Sequence, residues 1–302
     1  MSDFLTHGRI IGGLATVPDV EASLGDYRDR LGLSVVEQGA LPADLAASWG
    51  CPANAGAPFA TLAPTSGAPC YLRLVQQPLD PGFVPTRTYG WAAFEITVQD
   101  VFAWPDKLAG SGFDIIGPPK EIPGLPYFVA MQMLGRGREM IYLNEVRENT
   151  PTSDLPPAQS PVDHLFIVIL ASPDRAATMA WYSQRLGLDE GGAYTIPYTM
   201  INKAFGLPDP HMTSLSMAQK GRMPIVEIDD YPDVATVRAR SAGMLPPGNA
   251  MVTLAVDSLD RPDLALIAPP APRVGPFYAG RRASTTIGPA GELLELVEID
   301  SR

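Results

Sequence analysis

The chain holds 302 residues, 46% hydrophobic and 18% charged, with 22 Lys and Arg against 33 Asp and Glu for a formal net charge of −11. That length supports two domains with cores of their own. An acidic chain whose one adjacent basic pair is Arg281-Arg282 offers no footprint for a nucleic-acid backbone. Cys51 and Cys70 are too few for a disulfide framework or a zinc cluster. The start, Met1-Ser2-Asp3-Phe4, has no leader character. No apolar run reaches the roughly 18 residues of a membrane span, so a soluble, cytoplasmic protein without a membrane partner is expected.

In chain order, residues 10–17 read as an apolar strand. Asp19 after Pro18 is placed to cap a helix over 20–31 that stops at Gly32. Strands are predicted at 33–36, 59–62 and 71–75, which makes one strand–helix–three-strand unit. A second unit opens with a strand at 91–98 and a helix near 101–109, then strands near 127–133 and 140–143. Residues 150–161 contain Pro151, Pro156, Pro157 and Pro161 and read as a linker. Beyond it come a strand at 165–170, a helix over 174–186, and strands at 212–218 and 224–229. An extra helix over 234–242, a strand at 251–256, a short helical stretch at 262–266 and a last strand at 293–297 complete the chain. Strands and helices alternating with short returns give an α+β class, with the unit repeated four times.

The repeat is explicit. Pro18 to Leu33 and Pro173 to Leu188, 155 positions apart, are identical at eight of sixteen positions. Laying one half over the other shows what only the second carries. Arg73 aligns with Glu227, and Tyr142 with Glu295. On period-2 alternation Glu295 shares a strand face with Leu293 and Val297, where a carboxylate is costly unless paired or metal-bound. Glu227 interrupts the apolar Pro224–Ile228 strand, and His164 opens the apolar run 165–170.

The two helix segments (19–33 and 174–188), with the closing Gly291-Glu292-Leu293-Leu294-Glu295-Leu296-Val297-Glu298, resemble the vicinal oxygen chelate superfamily. Its members include glyoxalases, methylmalonyl-CoA epimerases, fosfomycin and bleomycin resistance proteins, and extradiol dioxygenases. The resemblance implies four βαβββ modules, paired within residues 1–149 and within residues 162–302 into two half-barrel domains, with 150–161 between them. It also implies a divalent metal (Zn, Ni, Co, Mn or Fe) held from the first and fourth strands of the modules. His164, Glu227 and Glu295 fall at or near those positions, with Met251 or Asn249 at the fourth. The matched positions of residues 1–149 (Arg9, Arg73, Trp91 and Tyr142) cannot hold a cation, so that half is expected to be metal-free.

His211, ahead of the 212–218 strand, is a candidate general acid or base beside Glu227 and Glu295. Tyr194, Tyr198, Met200, Phe205, Phe277 and Tyr278 are candidates to wall an apolar or aromatic substrate. One His with two carboxylates implies a glyoxalase- or epimerase-like lyase or isomerase acting on a small oxygenated molecule. Two alternatives stay open: an extradiol-type ring-cleaving dioxygenase, and a metal-free small-molecule-binding protein. The chain is expected to be a monomer or homodimer.

Overall fold

The computed structural model describes residues 9–122, 125–208 and 210–299. Module one comprises β1 (Ile10–Val17), α1 (Val20–Tyr27), β2 (Ser34–Ala40), α2 (Ala43–Ser48), β3 (Pro58–Ala63) and β4 (Tyr71–Gln76). Module two comprises β5 (Gly90–Val98), α3 (Trp104–Lys107), β6 (Asp114–Ile122), β7 (Leu125–Leu134) and β8 (Met140–Val146). Module three comprises β9 (Val162–Ser172), α4 (Arg175–Leu186), β10 (Asp189–Pro197), α5 (Thr199–Phe205), β11 (Met212–Lys220) and β12 (Met223–Asp230). Module four comprises β13 (Asn249–Val256), β14 (Ala271–Pro272), β15 (Arg282–Ile287) and β16 (Leu293–Glu298), with no helix after its first strand.

The strands form two eight-stranded sheets, ordered β14-β15-β16-β13-β1-β4-β3-β2 and β10-β11-β12-β9-β5-β8-β7-β6. The fold is α+β, a pair of curled half-barrels built from four modules. The expected pairing within each half is corrected: β1 pairs antiparallel with β13, and β5 with β9, so each sheet takes one module from each half. The first strand of every module is apolar on both faces, and β1 and β13 are buried throughout. Such a strand needs neighbours on both sides, and abutting two of them at a sheet centre buries both. Residues 150–161 are not a free tether. Leu155 is buried, and the Asp154 N–H donates to the Arg222 carbonyl at 2.7 Å.

The repeated caps work as the sequence implies. Asp19 and Asp174 accept from the N–H groups of Ala22 and Ala177 at 3.0 and 2.9 Å, and Gly187 ends α4 at φ +67°. Helix α1 stops at Tyr27, short of the predicted end at 31. The Asp26 carboxylate is drawn instead to the Gly112 N–H (2.7 Å) and to Arg136. Segment 234–242 is not a helix. Arg238 holds it extended by donating to Thr88 Oγ1, the Asn249 carbonyl and the Trp91 carbonyl. Residues 262–266 form a turn, with Leu266 in an isolated bridge to Thr286. Among the described residues no helix is long and apolar enough to cross a membrane.

A second repeat fastens the sheets together. The Tyr27 hydroxyl of α1 donates to Glu139 Oε1 at 2.7 Å, and the Tyr182 hydroxyl of α4 donates to Glu292 Oε1 at 2.8 Å. Each link runs from a helix on one sheet to a glutamate in the last hairpin of the other. The second oxygens accept from Gly137 N and Ala290 N, both at 2.8 Å. Burial pushes both carboxyls up to about 7, against the pull of these donors.

Candidate active site

The concave face of each sheet presents equivalent positions from the centres of four strands. In the first sheet, Arg73 on β4 lies beside β1, while Glu295 on β16 pairs in register with Thr253 on β13. Glu295 is 1% exposed, as its sequence setting implied, and it is fully partnered. Trp49 Nε1 and the Tyr278 hydroxyl donate to Oε1 at 2.7 and 2.9 Å, and Thr253 Oγ1 donates to Oε2 at 2.8 Å. Arg73, 1% exposed, donates to the Tyr278 hydroxyl (3.1 Å), Thr61 Oγ1 (3.2 Å) and Glu37 Oε2 (3.3 Å). Its guanidinium lies 4.2 Å from the Phe277 ring centroid. A fixed cation therefore already sits among the groups around Glu295. The residues at this position do not fit a divalent ion.

Met251 and Asn249 do not line this site. Met251 packs in the apolar core, and the Asn249 amide is engaged with Met140 of the other sheet, Oδ1 accepting from its N–H (2.8 Å) and Nδ2 donating to its carbonyl (3.0 Å). Thr253 is the β13 residue that reaches Glu295.

The second sheet fills the same positions differently. Glu227 on β12 replaces Arg73, Tyr142 on β8 replaces Glu295, and Glu95, in register with Tyr142, replaces Thr253. Asp229 stands two residues beyond Glu227 on the same strand. Glu95 and Asp229 are 6% and 1% exposed. The Tyr198 hydroxyl donates to Glu227 Oε1 at 3.3 Å and lies 3.5 Å from the Tyr142 hydroxyl. Asn144 Nδ2 donates to Glu95 Oε2 at 2.6 Å. Among the described residues no Lys, Arg or His pairs with any of the three carboxyls, and Asp229 Oδ1 and Asn144 Oδ1 are buried without a hydrogen-bond partner.

Electrostatics follow from that imbalance. Burial pushes Glu227 up to about 7, although hydrogen bonds from Tyr198 and Asp229 pull it back. Burial, then the Glu227 charge, drives Asp229 well above the usual carboxylate range. Glu95 rises well above it for the same two reasons, opposed by Asn144. Helix α5 closes the face: Ile201 is buried, and Tyr198, Met200 and Phe205 pack on the apolar cluster around Tyr142 and Ile169.

The structure does not bring His164, Glu227 and Glu295 together. Glu227 and Glu295 belong to different sheets. His164 stands at the start of β9, its Nδ1 3.4 Å from Asp163 Oδ1 and its N–H donating to Thr97 Oγ1 at 3.0 Å. His211 presents its carbonyl to Asn202 Nδ2 of α5 at 2.9 Å. Among the described residues no group of three or more His, Cys, Asp or Glu side chains is arranged to hold a metal ion. Of the candidate substrate walls, Tyr198, Met200 and Phe205 cover the second sheet, while Phe277 and Tyr278 pack the first. Tyr194 is 38% exposed on edge strand β10. Glu95, Asp229 and Asn144 were missed. Glu95 could have been found by the test applied to Glu295, since it interrupts an otherwise apolar buried strand.

Neither a protein-family model nor a curated protein matches this sequence. Solved structures do. Glyoxalase I from Zea mays aligns over 96% of this chain and 92% of its own, at TM-score 0.62 and 16% identity. A candidate dioxygenase from Bacillus subtilis subsp. subtilis str. 168 aligns over 97% of this chain and 86% of its own, at TM-score 0.63 and 11% identity. The chain shares the fold of these two structures. What separates the two concave faces of this chain is charge: Arg73 is paired with Glu37 and stands near Glu295 in the first sheet, while among the described residues no cation pairs with the three carboxyls of the second.

Proposed function

We propose that this chain is an acid–base catalyst, a lyase or isomerase acting on a small oxygenated molecule at the second sheet. The observation that supports it is the grouping of Glu95, Glu227 and Asp229 with Tyr142 and Tyr198, buried and without a basic partner. Carboxyls whose environments push their proton affinities apart divide naturally into base and acid. Glu227, near 7, is suited to exchange a proton at neutral pH. Burial raises Asp229 and Glu95 well above the usual carboxylate range, which favours their protonated, hydrogen-bond-donating form.

The corresponding step is removal of a proton from a carbon beside a carbonyl. Glu227 takes the proton, the C–H electron pair enters the adjacent C–C bond, and the carbonyl becomes an enolate. A protonated Asp229 or Glu95 donates to the enolate oxygen, and return of the proton from Glu227 completes an isomerisation or epimerisation. Lifting of α5 admits the substrate, and its return excludes water. The residues present do not fit the divalent metal implied by the family resemblance, because the Arg73 cation stands beside Glu295 and His164 stands apart from Glu227.

A second reading, a small-molecule-binding protein without turnover, is favoured by the way Tyr198, Ile201 and Phe205 cover the face. Deuterium wash-in from D2O into carbonyl compounds, followed by NMR, separates the two. The enzyme reading expects exchange well above the buffer rate, falling at least about a hundredfold in Glu227→Gln. Equal exchange by wild type and Glu227→Gln would sink it.

A further inference from the structure

The second sheet also carries information about what it accepts, and the inference here rests on the acid–base reading above. The groups facing the cluster are Glu95 of β5, Tyr142 and Asn144 of β8, Glu227 and Asp229 of β12, Tyr198 ahead of α5, and Tyr231 after β12. Among the described residues, Arg238 is in electrostatic contact with this set through Tyr231. Its donors are taken by Thr88 Oγ1 and the carbonyls of Trp91, Pro247 and Asn249. Among the described residues no cation pairs with the three carboxyls, and the nearby Arg87 donates its Nε to the Ala204 carbonyl of α5 and lies against Phe205. A ligand anion would meet the Glu227 carboxylate in a buried, low-dielectric setting with no cation paired to it.

The orphaned atoms give the complementary half. Asn144 is fully buried, and its Nδ2 is fixed by Glu95 at 2.6 Å. That contact sets the amide orientation and leaves Oδ1 as an acceptor without a donor. Asn144 lies two residues from Tyr142 on β8, so both side chains leave the same face of the strand. A buried amide oxygen left unpaired costs about 1–3 kcal/mol, which a ligand N–H or O–H would relieve. Asn144 therefore presents an acceptor beside the Glu95 acid.

We infer that the second-sheet site takes an uncharged carbonyl compound bearing a hydrogen-bond donor next to its carbonyl, with Asn144 Oδ1 accepting from that donor. Glu95 or Asp229 donates to the carbonyl oxygen while Glu227 takes the proton from the carbon. Asn144 is on this account a specificity-determining residue, and the missing cation excludes α-keto acids and phosphorylated sugars.

The test is deuterium wash-in from D2O at pH 7 with three probes, each rate corrected for buffer exchange: hydroxyacetone (neutral, with a donor), butanone (neutral, without one) and pyruvate (anionic). Hydroxyacetone should exchange at least about tenfold faster than butanone, the equivalent of one hydrogen bond, and pyruvate should not exceed the buffer rate. In Asn144→Leu the hydroxyacetone-to-butanone ratio should fall towards one. The ratio within a single variant is insensitive to a general loss of activity. If Asn144→Leu does not fold, the wild-type ratio and the pyruvate rate still decide. Pyruvate exchanging as fast as hydroxyacetone, or a ratio unchanged in Asn144→Leu, overturns the inference. Exchange of pyruvate that disappears in Glu227→Gln would overturn the substrate class while leaving the acid–base reading intact. Absence of Glu227-dependent exchange with all three probes would overturn both.

Discussion

The two concave faces of this molecule start from the same repeat and end in opposite electrostatic states. In the first sheet Arg73 is ion-paired with Glu37 and shares the Tyr278 hydroxyl with Glu295, while Trp49 and Thr253 fill the remaining acceptor sites of Glu295. In the second, Glu227 and Tyr142 stand at those positions with Glu95 and Asp229 beside them, and among the described residues no cation pairs with the carboxyls. A buried charge is tolerated when paired and hydrogen-bonded, and otherwise it changes its proton affinity. The first face is therefore a closed, hydrogen-bonded cluster, and the second holds buried carboxyls whose proton affinity is raised. Duplication supplied two equivalent sets of positions, and Arg73 gives the first a cation where the second has Glu227.

The largest expected effect comes from breaking the compensated side. Arg73→Met removes the cation and leaves Glu295 buried among donors, so unfolding free energy should fall by about 3–5 kcal/mol in urea titrations. Adding Glu295→Gln should recover most of that loss, because the uncompensated charge is removed as well. A loss below about 1 kcal/mol for Arg73→Met would mean that the first face is not an ion-paired cluster.

The pH dependence of stability sharpens the contrast next. Glu139, Glu292 and Glu227 are each raised to about 7. A carboxyl with a raised folded pKa binds its proton more tightly folded than unfolded. Its contribution is therefore complete below the unfolded value near 4.3 and is lost as pH rises towards about 7. For Glu139 and Glu292 the loss is up to about 3 kcal/mol each. Melting temperature should fall between pH 5 and pH 8 despite the acidic composition, and Glu139→Gln with Glu292→Gln should flatten the curve. A protein that becomes more stable over this interval would contradict the assignment.

A smaller effect is expected from Asp229→Asn. Because the carboxyl is costly to ionise where it sits, the amide should leave the protein as stable as wild type, or about 1 kcal/mol more stable, at pH 8. Destabilisation beyond about 2 kcal/mol would show that the hydrogen bond between Asp229 and Glu227 outweighs the cost of burying the carboxyl.

Much of the fold was legible because it rests on local signals: the Asp caps, the Leu-Gly-Leu helix ends and the 155-residue repeat. Burial of Glu295 was legible from strand alternation alone. Its partners were not. Trp49 and Glu295 are 246 positions apart, and nothing in either neighbourhood announces the contact. Sheet pairing failed for the same reason, since β1 and β13 carry no mark of which apolar strand each will abut. Helix α5 was hidden by its length. Seven residues with Tyr198 ahead of them give too few turns for a helical period to register, and tertiary packing of Ile201 holds it.

The central claim is that the second sheet, and not the first, holds a carboxyl ready to move a proton at neutral pH. Carbon-13 NMR of side-chain carboxyls, with Glu227→Gln to assign the resonance, measures that directly. The account predicts that the signal lost in Glu227→Gln titrates with an apparent midpoint near 7, shifted by the coupling to Asp229 and Glu95. A midpoint in the ordinary glutamate range near 4.3 would contradict it and leave the second face as inert as the first.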